Sequence, residues 1–116
     1  MSRNARFRQQ LQHATLMHAM SAHNPLSARL AADAGFDAIW GSGFELSASY
    51  AVPDANILSA GQHLDMMRAI AAAIDIPVIA DIDTGFGNAI NVAYAVPQYE
   101  AAGVSAVVME DKTCLL

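Results

Sequence analysis

Acidic side chains in this 116-residue chain gather at the ends of apolar runs. Asp81 and Asp83 close one run, Glu110 and Asp111 close the next, and Asp54 lies in an earlier connecting segment. Two residues apart on a strand, Asp81 and Asp83 would share a face. Carboxylates crowded on one face repel unless a cation or a proton joins them. Glu110, ending the following run, can reach the same space, and Asp54 can supply a fourth group. No His or Cys stands at ligand spacing to these acids. An oxygen-only set suits a hard ion, Mg²⁺ first, held partly through water, and Mn²⁺ second. The competing reading gives each acid a local task, capping a helix or solvating a loop end. For any one acid the two readings balance; for the set, gathered at one end of the elements, the ion is favoured.

Ser42 and Gly43 follow another apolar run. A hydroxyl beside a glycine amide makes a donor pair for a carboxylate or an oxyanion, and a plain turn is the alternative. Trp40, two residues earlier, either walls the same space or belongs to the core. Gly85-Phe86-Gly87-Asn88 has the look of a phosphate loop but lacks the lysine of a P-loop; a turn that sets the Asp pair is the better reading. His13, His18, His23 and His63 share no spacing, and His23 is expected to pack or hydrogen-bond at its loop. Met17, Met20, Met66, Met67 and Met109 are expected as core filler.

The elements that would carry these residues alternate. Residues 3–12 read as a helix and 15–20 as a strand. Asn24 and Pro25 open a helix as cap and first residue, which ends at Gly35. Residues 37–42 read as a second strand and 43–58 as a loop. Ser59 caps a helix to about Ile74, with Leu64, Met67, Ile70, Ala71 and Ile74 at helical steps. Residues 77–83 form a third strand, 84–88 a tight loop, 89–102 a helix that Pro97 should kink or split, and 104–109 a fourth strand. This order predicts an α/β fold with a parallel sheet, either open and doubly wound or part of a (β/α)₈ barrel. A barrel takes about 250 residues, so the chain would supply four of eight strands. In both folds the active site lies at the carboxyl ends of the strands, where the acids fall.

Apolar residues make up 54% and charged residues 15% of the chain. That is too apolar a surface for so small a domain, which points to oligomerisation or to one piece of a larger fold. The net charge of −5, with six basic side chains, argues against a nucleic-acid partner. No apolar run approaches the roughly 20 residues that span a bilayer, and no signal core follows the basic N-terminus. The lone Cys114 permits no internal disulfide, and a cytoplasmic location is expected.

Several segments together resemble the phosphoenolpyruvate mutase/isocitrate lyase superfamily. They are Ala22-His23-Asn24-Pro25-Leu26-Ser27-Ala28-Arg29, Ala34-Gly35-Phe36, Ile39-Trp40-Gly41-Ser42-Gly43, Asp81-Ile82-Asp83-Thr84-Gly85-Phe86-Gly87-Asn88 and Met109-Glu110-Asp111-Lys112. Within it, residues 44–56 and Val96-Pro97-Gln98-Tyr99-Glu100 are most similar to the phosphonopyruvate hydrolase branch, with mutases and 2-oxo acid lyases next. The resemblance implies a (β/α)₈ TIM-type barrel, of which residues 1–116 are the N-terminal half of one domain, and a Mg²⁺ site. It implies Asp81 as the nearest protein carboxylate to the metal, with Asp54, Asp83 and Glu110 holding its waters. Ser42 and the Gly43 amide would take the substrate carboxylate, with Trp40 beside them. Asp54 would act near the phosphorus, as nucleophile, base or electrostatic partner. The substrate would be phosphonopyruvate or a related 2-oxo acid, and full-length relatives are expected to be homo-oligomers. After Asp111-Lys112-Thr113 the family continues into a lysine-bearing mobile loop, whereas here Cys114-Leu115-Leu116 follow. The chain is therefore expected to be a truncated, frameshifted or partial product, inactive and poorly folded alone. An inactive half-barrel remnant that binds only a metal or a partner is the non-enzymatic alternative.

Overall fold

Four short parallel strands form one sheet in sequence order, with helices as the crossovers between them. The computed structural model describes residues 1–13 and 16–112. The elements are α1 (Arg3–His13), β1 (Ala19–Ala22), α2 (Pro25–Asp33), β2 (Ala38–Gly41), α3 (Gly43–Ser49), α4 (Ala60–Ala73), β3 (Val78–Asp81), α5 (Ala89–Ala101) and β4 (Ala106–Val108).

Local chemistry starts each helix. The Asn24 side chain accepts from the Ser27 amide, and Pro25 occupies the first turn of α2. Ser59 and Gln62 form a capping box at α4, as Asn88 and Asn91 do at α5. Gly35 then turns the chain out of α2 with φ +97°.

One side of the sheet is dry. Ile39, Val78 and Ala80 pack there against Met67, Ile70 and Ala71 of α4, Ala28 and Ala31 of α2, and Tyr99 of α5. Gly41 lies on this side too, because a Cβ on it would strike Met67. By strand alternation Trp40 and Ile79 face the opposite side, where both are half-buried. Asp81 continues the Ile79 row, so β3 delivers its carboxylate to that second face. At the amino ends of the strands, Arg3 donates to the carbonyls of Ala71, Ile74 and Gly103 and pins α1 there.

Four expectations are corrected. The first strand begins at Ala19, not at 15; residues 14 and 15 lie outside the described ones, and Leu16, Met17 and His18 are not in a strand. Pairing sets that boundary, since Ala19 opposes Ala38. The 43–58 segment is not all loop, because Ser42 caps α3 by accepting from the Glu45 amide at 3.1 Å. Pro97 does not split α5, which continues as one helix to Ala101. Of the methionines, Met67 is fully buried, but Met20 and Met109 are 42% and 50% exposed and are not core filler. Cys114, with Thr113, Leu115 and Leu116, lies outside the described residues.

Candidate metal and substrate site

Asp81 ends β3 with both carboxylate oxygens held by backbone. Oδ2 accepts from the Gly43 amide at 3.2 Å and Oδ1 from the Asp83 amide at 3.0 Å. The strand stops at Asp81, and Asp83 sits at φ +51°. Strand alternation therefore does not relate the two acids; the turn between them does. Gly85, whose amide donates to the Ile82 carbonyl at 2.9 Å, continues that turn. At Gly85, with φ +94°, a Cβ would collide with Met109 and Val92, so the glycine serves the turn. No phosphate-cradle role is needed to explain it.

Asp54, Asp81 and Asp83 line one cavity of about 40 Å³, together with Gly43, Ser47, His63 and Phe86 among others. Glu110 is not part of that lining. It is tied to Asp83 in two other ways. Its amide donates to the Asp83 carbonyl at 2.7 Å. The Lys112 ammonium also lies 3.1 Å from both Asp83 Oδ1 and Glu110 Oε2. These hydrogen bonds, Glu110's first, hold the Lys112 ammonium above its ordinary pKa range.

Among the described residues, no three His, Cys, Asp or Glu side chains stand as a ready ligand cage. Mg²⁺ does not need one: it keeps several waters and takes one or two protein carboxylates directly. The donors are all oxygens, and a cationic Lys112 nitrogen already stands between two of the acids. The residues fit a hydrated hard ion, and Asp81 is the carboxylate with both oxygens held by backbone amides.

Ser42 and Trp40 do not line the cavity. Ser42 is buried, and its Oγ is engaged as the cap of α3. The Gly43 amide, expected for a substrate carboxylate, donates to Asp81. His23 packs at its loop, with Nδ1 3.4 Å from Glu45 Oε1.

His63 of α4 was not expected in the lining. It is 6% exposed, and its Nδ1 lies 2.7 Å from Tyr99 Oη. Phe86 and Tyr99 stack nearby at 6.3 Å and 3°. Burial pushes the His63 imidazole below its ordinary pKa, against the opposing pull of Asp81 and the Gly41 carbonyl. The sequence did carry a signal: His63 precedes Met67 by four and Ile70 by seven, which places it on the buried stripe of α4.

Comparison with known proteins agrees with this architecture. A phosphonopyruvate hydrolase from Variovorax sp. (strain Pal2) is 70% identical over 113 residues, which cover 97% of this chain and 39% of that protein. A crystal structure of phosphonopyruvate hydrolase in complex with oxalate and Mg²⁺ superposes with a TM-score of 0.95 at 70% identity, covering 97% of this chain and 40% of that one. The phosphoenolpyruvate phosphomutase of Streptomyces platensis subsp. rosaceus gives 0.92 at 50% identity, covering 94% and 38%. The chain thus spans about two fifths of the relatives' length and holds the first four strands of their (β/α)₈ barrel. The family model described as phosphoenolpyruvate phosphomutase matches residues 7–114, and the chain belongs to that family.

Proposed function

We propose that this chain carries the cation-binding side of a Mg²⁺-dependent hydrolase that splits phosphonopyruvate with water into pyruvate and phosphate. The observation that carries the reading is the meeting of Asp54, Asp81 and Asp83 in one cavity at the strand tips. The relative at 70% identity, and the Mg²⁺ and oxalate in the related crystal structure, give it chemical content. Oxalate has the paired oxygens of a 2-oxo acid enolate.

In this reaction the P–C bond breaks, water oxygen bonds to phosphorus, and the carbon left behind takes up a proton. Bound Mg²⁺ would supply Lewis-acid stabilisation of the negative charge that develops on the keto oxygen. Asp81 binds the ion, with the Asp83 amide steadying one of its oxygens. Asp83 and Glu110 hold its waters. Ser42 donates its hydroxyl hydrogen to the substrate carboxylate, beside Trp40, and Gly43 joins it if Asp81 turns to the ion. Asp54, on an exposed loop, stands on the phosphorus side and holds or moves a proton of the attacking water.

The second reading is isomerisation of phosphoenolpyruvate and phosphonopyruvate, favoured by the 50% identity to the Streptomyces mutase. We place the protein in the cytoplasm as a homo-oligomer. The exposed apolar side chains Leu26, Leu30, Ile90 and Tyr94 support assembly, and no helix among the described residues is long and apolar enough to cross a membrane.

The test uses the chain alone and mixed with the remaining three fifths of the Variovorax relative. Phosphate release from phosphonopyruvate that needs Mg²⁺ and stops with EDTA is expected in the mixture. Phosphoenolpyruvate formation without phosphate would favour the mutase. Absence of both, in a mixture that assembles, would leave the inactive remnant.

A further inference from the structure

We propose that His63 is a positioning residue for the cation site: fixed by Tyr99 with its hydrogen on Nε2, it holds through that N–H a water in the cavity between Asp54, Asp81 and Asp83. The link to the cation rests on the metal reading above; the tautomer and the donor do not.

Geometry carries the first half. His63 is more than nine-tenths buried and lines the acidic cavity, and its Nε2 has no hydrogen-bond partner among the described residues. A buried polar atom of this kind is costly unless something pairs with it. One hydrogen must lie between Nδ1 and Tyr99 Oη, 2.7 Å apart. A ring hydrogen on Nδ1 would turn the phenol hydrogen away into the packing around Tyr99, which is 1% exposed. A phenol that donates to Nδ1 satisfies both groups and leaves the ring hydrogen on Nε2. Burial raises the Tyr99 pKa well above its ordinary value, so the phenol keeps its hydrogen. Burial opposes a second proton on the ring, and the pulls of Asp81 and the Gly41 carbonyl do not overcome it, so the imidazole carries one hydrogen. The Gly41 carbonyl does not meet Nε2 in hydrogen-bond geometry.

Space and chemistry carry the second half. A water needs about 10–15 Å³ and two to four polar partners, and this cavity offers about 40 Å³ with carboxylates on its wall. A water that accepts from Nε2–H has both its hydrogens left to donate to Asp54, Asp81 or Asp83. The imidazole is a neutral donor in the lining that is fixed from behind by a second side chain. Water held this way keeps the carboxylates hydrated as a set, ready for an ion that retains its own waters.

The experiment uses the 116-residue chain labelled with ¹⁵N-histidine. Ring ¹⁵N–¹H correlation spectra separate pyrrole-type from pyridine-type nitrogens, and loss of one set in His63→Gln assigns the residue. One tautomer with the hydrogen on Nε2 is expected, replaced by a mixture in Tyr99→Phe. Hydrogen on Nδ1 in the unsubstituted chain would overturn the inference. Calorimetric Mg²⁺ affinity gives the second readout. Outer partners of a metal site typically change affinity about tenfold or more, so His63→Leu should weaken binding by about that factor. His63→Gln, which keeps a side-chain N–H, should restore most of it. A folded His63→Leu chain that binds Mg²⁺ as tightly as the parent would overturn the link to the site. A parent chain that shows the Nε2 tautomer yet binds no Mg²⁺ would instead overturn the metal reading of the function.

Discussion

The carboxylate of Asp81 accepts the amide of Asp83 at 3.0 Å while its other oxygen accepts the amide of Gly43. The side chain proposed to hold the ion therefore also ties the end of β3 to the start of α3 and to the next turn. Structure and binding can be separated at this residue by charge. Asp81→Asn keeps one oxygen acceptor and removes the negative charge; Mg²⁺ affinity should fall more than tenfold, as titration calorimetry would show, with the circular dichroism spectrum retained. Asp81→Ala leaves both amides unpaired and should cost about 1–3 kcal/mol of stability besides, read from denaturant unfolding. Equal Mg²⁺ affinity in Asp81→Asn would remove this residue from the site.

Gly43 offers a complementary probe. A Cβ there would sit 3.2 Å from Asp81 Oδ2, tighter than ordinary contact. Gly43 opens α3, a place where alanine suits the backbone better than glycine. Gly43→Ala should leave thermal stability within a few degrees of the parent while weakening Mg²⁺ binding several-fold. A large loss of stability with unchanged binding would contradict the close approach as the reason for glycine.

His63 predicts an acid-side loss of stability. Its folded pKa lies below the unfolded value of about 6.5. Above that value both states are neutral at this residue and nothing depends on pH. As pH falls below it, the unfolded chain takes up a proton that the folded chain resists, so the fold loses stability. Urea midpoints measured from pH 7.5 to 5 should fall on the acid side, and the His63→Gln chain should show a flatter profile over the same range. Parallel profiles would show that His63 does not carry this dependence.

Asp54 separates turnover from binding. It lines the cavity from an exposed loop, and no strand or helix holds it. Asp54→Ala in the reassembled enzyme should abolish phosphate release, by at least a hundredfold, with Mg²⁺ affinity changed by only a few-fold. Retained turnover would take Asp54 out of the mechanism.

The elements were legible because their signals are local. Asn24-Pro25 and Ser59 announce helix starts through hydrogen bonds made within three residues, and Gly35 announces an end through its φ. β1 was misplaced because pairing with Ala38 decides its register, and pairing is not local. α3 was missed because it is a short helix whose first turn depends on one Ser42 side-chain bond, in a segment that Pro53-Asp54 marks as a connection. The acids at the strand tips were found by position in the fold, yet strand alternation gave the wrong reason for Asp83, which lies past the strand. His63 was overlooked because spacing was sought among the histidines themselves. Its partner, Tyr99, is 36 residues away, and only the packing of α4 on α5 brings the two rings together.

Lys112 makes a prediction about competition. Its ammonium stands 3.1 Å from Asp83 Oδ1 and 3.1 Å from Glu110 Oε2, with 46% of the side chain exposed. A cation already bound between two carboxylates opposes a second one arriving beside them, and Mg²⁺ would have to displace it or share its partners. Lys112→Gln removes that charge and leaves the acids uncompensated. Mg²⁺ affinity should then rise several-fold at low ionic strength. The gain should shrink as salt is added, because exposed charges are screened over about 10 Å at 0.1 M. The melting temperature without metal should barely change, since exposed ion pairs contribute little. Calorimetric titrations of both chains at two salt concentrations check all three points. A lower Mg²⁺ affinity in Lys112→Gln would show that the lysine instead helps to assemble the site, by drawing Glu110 towards Asp83.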